Sequence, residues 1–159
     1  MKFTELPLKG AYLIELEPHH DERGYFARTF CEKEFAQHNL VSKFIQMSTS
    51  FNIKKGQIRG MHYQTEPYQE TKIVRCTKGA IFDVLVDLRK NSPTYRQWYG
   101  EKLSATNGKI LYIPKDFAHG YKTLDENTEI FYMMDEVHVP NVACSIEPGD
   151  LNILWPDDE

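Results

Sequence analysis

The stretch TKIVRCTKGAIFDVLVDLR, residues 71–89, decides the fold. It reads as two strands, 71–77 and 80–88, joined around Lys78-Gly79. Working outward, short apolar runs recur on both sides and end at turn residues. AYLIEL (11–16) alternates and stops before Pro18, and YFARTF (25–30) follows the turn DERG. KILYIP (109–114), TEIFYMMDEV (128–137) and LNILWP (151–156) add further strands. CEKEFAQHN (31–39) is the one helical pattern, and it is short. No repeat, low-complexity tract or linker interrupts the series. Many short strands with almost no helix predict one all-β domain, residues 1–159, of sandwich or barrel type. Aromatic residues at 13% are ample for its core.

Charge narrows the function. Lys plus Arg number 19 against 23 Asp plus Glu, a net charge of -4, which argues against a general nucleic-acid binder. A small anionic ligand held by a few local cations fits. Cys31, Cys76 and Cys144 are odd in number and lack metal-ligand spacing, so they read as reduced thiols of a cytosolic protein. The opening MKFTELPLKG has no apolar signal core, and no run of about 18 apolar residues is present to span a membrane.

Several side chains could do chemistry. His62 follows the turn-like GQIRG and enters a strand, where it and Gln64 point the same way. A neutral imidazole takes a proton at cell pH, although a lone histidine is more often a satisfied structural group. His119, in IPKDFAHGY, reads as a residue in a rigid turn bracketed by Pro114 and Gly120, open to a ligand or bonded to backbone. Asp83 is a carboxylate inside an apolar strand, so it needs a partner, and His119 is the natural one. Tyr132 lies in the most apolar strand, where core packing is the plain alternative to a chemical role. Lys72 opens a strand and is either a surface lysine or a cation for an oxyanion. Arg23 and Arg59 could clamp phosphate, or simply be solvated. Two histidines with Glu70 raise the question of a metal, but His62-Tyr63-Gln64 puts a poor ligand where a second histidine would stand.

Taken in order, DERGYFARTF, KGQIRGMHYQ, ETKIVRCTKGAIFDVLVDLRKNSPTY, LYIPKDFAHGYKTL and ILWP resemble the dTDP-4-dehydrorhamnose 3,5-epimerase family, over roughly residues 10–156. The resemblance implies a cupin-like jelly roll, usually a homodimer, acting on a nucleotide-diphosphate 4-keto sugar without metal or other cofactor. It implies His62 as the base α to the ketone, Lys72 as the cation on the enolate oxygen with His119 nearby, and Tyr132 as the acid on the opposite face. Arg23 and Arg59 match contacts to the diphosphate and sugar, and Gln46 and Ser48 fall in the nucleotide pocket. The pattern is not complete. The family's Q-x-N reads Gln46-Met47-Ser48, a ligand-contacting glutamate is Arg28, the tyrosine that stacks on thymine is His138, and an acidic contact falls near Ala143. No residue here matches the C-terminal aspartate that the family pairs with the catalytic histidine. The sugar-facing set is intact and the base-facing set altered. Epimerase chemistry is therefore implied, with the nucleotide open among dTDP, CDP and GDP. The alternatives are a 3,4-ketoisomerase, disfavoured by Gln64, a non-catalytic sugar-nucleotide binder, and a metal-dependent cupin oxygenase.

Overall fold

The computed structural model describes residues 1–157. In it, the two strands of the 71–89 stretch belong to different sheets, so Lys78-Gly79 turns a corner between layers rather than closing a paired hairpin. Gly79 has φ +72, and a Cβ there would lie 2.7 Å from the Thr128 hydroxyl, so the corner requires glycine.

The elements run β1 (Lys2–Glu5), β2 (Tyr12–Glu15), β3 (His19–Asp21), β4 (Gly24–Phe26), α1 (Glu32–Gln37), β5 (Gln46–Asn52), β6 (Ile58–Gln64) and β7 (Lys72–Lys78). They continue with β8 (Ala80–Asp87), β9 (Trp98–Ser104), β10 (Lys109–Ile113), β11 (Phe117–Thr123), β12 (Thr128–Met134) and β13 (Ala143–Ser145). A six-stranded sheet, β1-β2-β10-β7-β12-β5, faces a five-stranded sheet, β13-β6-β11-β8-β9. All pairings are antiparallel, and β3–β4 forms a separate hairpin. This is a jelly roll.

Period-two alternation fills three layers. Ile81 and Leu85 of β8 point between the sheets and meet Val74, Leu111 and Ile130. Val84 and Val86 point outward and are covered by Leu151, Ile153 and Trp155. Both faces of β8 are therefore buried, which is why 80–88 reads as an almost unbroken apolar run. On the far side of the six-stranded sheet, α1 lays the fully buried Phe35 onto Ile14, Ile73, Ile110 and Met133. A phenylalanine buried in this way is worth about 1.5–3 kcal/mol, enough to anchor a helix of six residues that could not stand alone.

Three expectations are corrected. LNILWP is not a strand: Leu151 ends a 3-10 turn, Pro148–Leu151, and the rest is an irregular strap over the outer face of the five-stranded sheet. Strand structure in 25–30 stops at Phe26, and that in 128–137 stops at Met134. No helix among the described residues is long and apolar enough to cross a membrane.

Candidate active site

The inward faces of both sheets turn polar at one end of the sandwich. Lys72 begins β7. Its β12 neighbour is Met134, which pairs in turn with Gln46 of β5, while Tyr132 pairs with Ser48. These side chains line a cavity of about 330 Å³, together with Glu70 and His138. The opposing sheet brings His62 of β6 directly across from His119 of β11. His119 is thus in a strand and not in a turn. The turn lies at Lys115-Asp116, where Asp116 adopts φ +63.

Gly60 and Gly120 let β6 and β11 approach this closely. A Cβ on Gly60 would lie 2.5 Å from the Gly120 Cα, and one on Gly120 would lie 2.6 Å from the Arg59 carbonyl oxygen. The ladder shifts register here, between His119 and Tyr121, and the irregularity aims both histidines.

His119 Nε2 lies 2.7 Å from Asp83 Oδ1, so the partnership expected for the buried carboxylate is present. Asp83 is fully buried, and its Oδ2 has no partner. Burial pushes its pKa up, while the charges of His119 and Lys72 act the other way. The His119 ring also meets Tyr132 edge-on, centroids 6.1 Å apart. Lys72 Nζ sits 3.0 Å from Glu70, both side chains nearly buried. Glu70 and Lys72 stand two apart in extended chain, so they share a face.

His62 and Tyr132 are tuned apart. Burial, then the charges of Lys72, His119 and Arg59, hold His62 below the ordinary histidine value, so it is neutral and able to accept a proton at neutral pH. Burial, with Tyr121 and Asp83 beside it, pushes Tyr132 far up, so its phenol keeps its proton until a stronger base draws it. His62 comes from one sheet and Tyr132 from the other, with Lys72 close enough to act on His62 electrostatically.

The remaining expected residues divide. Gln46 accepts a hydrogen bond from the His138 backbone at 2.9 Å, which ties the start of β5 to the segment after β12. Arg59 reaches toward the Phe51 carbonyl oxygen and is felt electrostatically by His62 and Tyr132. Arg23, by contrast, is not among the side chains lining the cavity. It sits at the tip of the β3–β4 hairpin, highly exposed and paired with Asp21. Gln64 spends its amide on structure: it donates to the Tyr68 and Val137 carbonyls and accepts from Val139 N–H at 2.7 Å, holding the 137–139 segment beside the cavity.

The class is that of a sugar-nucleotide isomerase, a jelly roll with Lys72 and Tyr132 lining a small polar cavity and His62 on the opposing sheet. The match to known proteins is more specific. The family model described as dTDP-4-dehydrorhamnose 3,5-epimerase matches residues 5–159, and the chain belongs to that family. It is 41% identical to the dTDP-4-dehydrorhamnose 3,5-epimerase of Methanothermobacter thermautotrophicus, over 98% of this chain and 84% of the relative. The crystal structure of dTDP-4-dehydrorhamnose 3,5-epimerase from Bacillus anthracis, with TDP and PPi bound, superimposes with a TM-score of 0.94 at 38% identity, covering 98% of this chain and 90% of that one. A dTDP-6-deoxy-D-glucose-3,5-epimerase from Legionella pneumophila, in complex with dTDP-4-keto-L-rhamnose, gives 0.91 at 34% identity, covering 98% and 83%.

Proposed function

We propose that this protein epimerises C3, C5 or both of a nucleotide-linked 4-keto-6-deoxy sugar, a step in making deoxysugar precursors of surface polysaccharide. The reading rests chiefly on one observation: His62 and Tyr132 stand on opposite sheets, and Lys72, which lines the cavity with Tyr132, also acts electrostatically on His62. His62 removes the proton α to the ketone. The electron pair moves onto the C4 oxygen as an enolate, which the Lys72 ammonium stabilises. His119, fixed by Asp83, adds a polar contact nearby. Tyr132 then protonates the carbon from the other face, which inverts it. A single base could simply restore the original centre.

Gln46, Ser48 and His138 form the nucleotide end, with Arg59 on the diphosphate. We infer that the working unit is a homodimer in the cytoplasm. Three free cysteines suit a reducing compartment. The unpaired edge strand β5 and its flanks expose Ile45, Met47, Phe51 and Ile53, and the β3–β4 hairpin exposes Tyr25 and Phe26. In such a dimer Arg23, which its own cavity does not hold, is available to the partner's diphosphate.

The test is deuterium wash-in from D2O at C3 and C5, run across dTDP-, CDP- and GDP-linked 4-keto-6-deoxy sugars. The native protein is expected to exchange at least one of these carbons, and His62→Ala to abolish exchange. Wash-in that persists in His62→Ala overturns the base assignment. A native protein that binds the sugar nucleotides without any exchange is a binder and not an epimerase. Tyr132→Phe is expected to keep exchange on the His62 face while losing inversion.

A further inference from the structure

Among the described residues, Glu70 is the acidic side chain that lines the cavity, and the steps assigned so far leave it without a task. We propose that Glu70 is a specificity residue: it accepts a hydrogen bond from the C3 hydroxyl of the substrate while Lys72 holds the C4 oxygen, so that the pair reads an α-hydroxyketone. The proposal rests on the assignment of Lys72 to the C4 oxygen.

The charge of Glu70 needs a reason. A nucleotide diphosphate and an enolate are both anionic, and a carboxylate 3.0 Å from Lys72 Nζ opposes the binding of either. Stability does not supply the reason. The Lys72 and Glu70 side chains are only 12% and 10% exposed, and an ion pair buried to that degree gains little or nothing over apolar side chains of similar volume. Nor does Glu70 swing in on a loose loop. The next peptide unit is clamped from both sides: Thr71 N–H donates to Asp135 Oδ1 at 2.6 Å, and Asp135 N–H donates to the Thr71 carbonyl at 3.3 Å. The backbone therefore holds Glu70 beside Lys72 at the start of β7.

The pair has capacity to spare. An ammonium carries three donors and a carboxylate two acceptor oxygens. Lys72 Nζ meets Glu70 Oε1, which leaves N–H groups for a ligand. Glu70 Oε2 is not sealed in the core: the buried side-chain atom without a partner among the described residues is Asp83 Oδ2, so Oε2 keeps access to the cavity that Glu70 lines. A donor and a charged acceptor thus stand side by side. A 4-keto sugar with a C3 hydroxyl presents the complement on two adjacent carbons. Its C4 oxygen accepts from Lys72, and its C3 hydroxyl donates to Glu70. On the other side of the ketone, C5 of a 6-deoxy sugar bears a methyl group and the ring oxygen, neither of which donates. The carboxylate therefore fixes which way round the ring lies. Loss of the C3 proton flattens C3 and C4 and brings both oxygens into one plane, so the two contacts persist in the enolate.

The test measures deuterium wash-in from D2O for a 4-keto-6-deoxy sugar nucleotide and for its 3-deoxy counterpart, in the native protein and in Glu70→Leu. The readout is the preference for the hydroxylated sugar, the ratio of the two kcat/KM values at the carbon the native protein exchanges. Comparing native and variant ratios cancels the intrinsic acidities of the two sugars, and it cancels any general loss from a displaced Lys72. The preference is expected to fall by about tenfold or more in Glu70→Leu, the worth of a hydrogen bond to a charged acceptor. Glu70→Gln keeps a neutral acceptor and is expected to fall between the two, and it carries the test if Glu70→Leu fails to fold. A folded Glu70→Leu, or failing that a Glu70→Gln, with the native preference overturns the proposal. So does a variant that keeps the sugar preference but changes the order among dTDP-, CDP- and GDP-linked forms, because that places Glu70 against the base. A native protein that exchanges neither sugar removes the underlying reading instead, and that result is visible before any variant is made.

Discussion

A base is useful only in its unprotonated form, and the surroundings of His62, the proposed base, favour that form. Burial and the electrostatic influence of Lys72, His119 and Arg59 all act to lower its pKa from 6.5. The protonated, inactive form therefore accumulates only as pH falls below that value. The acidic limb of kcat/KM is expected below pH 6.5, measured in the free enzyme with a 4-keto sugar nucleotide. Lys72→Met removes one of the charges. An NMR titration of the His62 imidazole in that variant is expected to move up toward 6.5, and a midpoint that stays put or falls would show that Lys72 does not set it. At this scale much of the site was legible. Asp83 could be paired with His119 from the cost of burying a carboxylate, and the separation is 2.7 Å. Glu70 was not legible as the partner of Lys72, because a glutamate two positions before a lysine is also ordinary surface.

Elements were readable where both faces bury apolar side chains and obscure where one face serves the site. The strand 80–88 declared itself for the first reason. β5 did not, because its inward face carries Gln46, Ser48 and Ser50, and no apolar alternation marks it. His119 was placed in a turn because Gly120 looks like a turn residue. Gly120 serves close approach instead, and Gly60→Ala, at φ +122 with the Gly120 Cα 2.5 Å from the new Cβ, is expected to separate β6 from β11 and lower activity more than substrate-independent stability measures would suggest. LNILWP misled in the opposite way: an apolar pattern reports burial, not pairing, and this strap buries itself without a sheet partner. The loop after β8 shows what the DLRKNSPT run is for. Asp87 accepts from the Arg89 backbone and guanidinium, from Ser92 Oγ at 2.6 Å and from Thr94 Oγ1 at 2.6 Å. Burial pushes the carboxyl up, but these bonds together outweigh it and hold the group far below the usual carboxylate range. Its folded pKa is depressed, so its stabilisation is complete above the unfolded value of 3.8 and fades as pH falls below it. Asp87→Ala is expected to cost about 3 kcal/mol in urea unfolding at pH 7, near the low end for a broken buried pair because the Arg89 side chain keeps 32% exposure. The penalty should shrink as pH is lowered below 3.8, and a penalty independent of pH would show that the charge is not what matters.

For the whole molecule, the question is what covers β5. An edge strand normally protects itself with charge, proline or a cover. This one presents Met47 at 57% and Phe51 at 47% exposure on its outer face, with Ile45 and Ile53 at its ends, and its second edge pairs with nothing among the described residues. Aligning two such edges across a two-fold axis would bury both rows at once and extend the sheet from one subunit into the next. Buried side chains of this size are worth about 1.5–3 kcal/mol each, whereas a charge buried in their place costs several. Met47→Lys with Phe51→Glu is therefore expected to convert a dimer to a monomer, read by sedimentation velocity, while the fold, read by circular dichroism, stays intact because both side chains point away from the core. If the native chain sediments as a monomer, or the double variant remains a dimer, the β5 interface is wrong. Arg23 gives this arrangement a catalytic readout. It stands outside its own cavity, so in a dimer that lends it to the partner, Arg23→Ala should raise KM and leave kcat nearly unchanged. The monomeric double variant should show the same rise in KM with Arg23 still in place, because dissociation removes the arginine from the site as surely as mutation does.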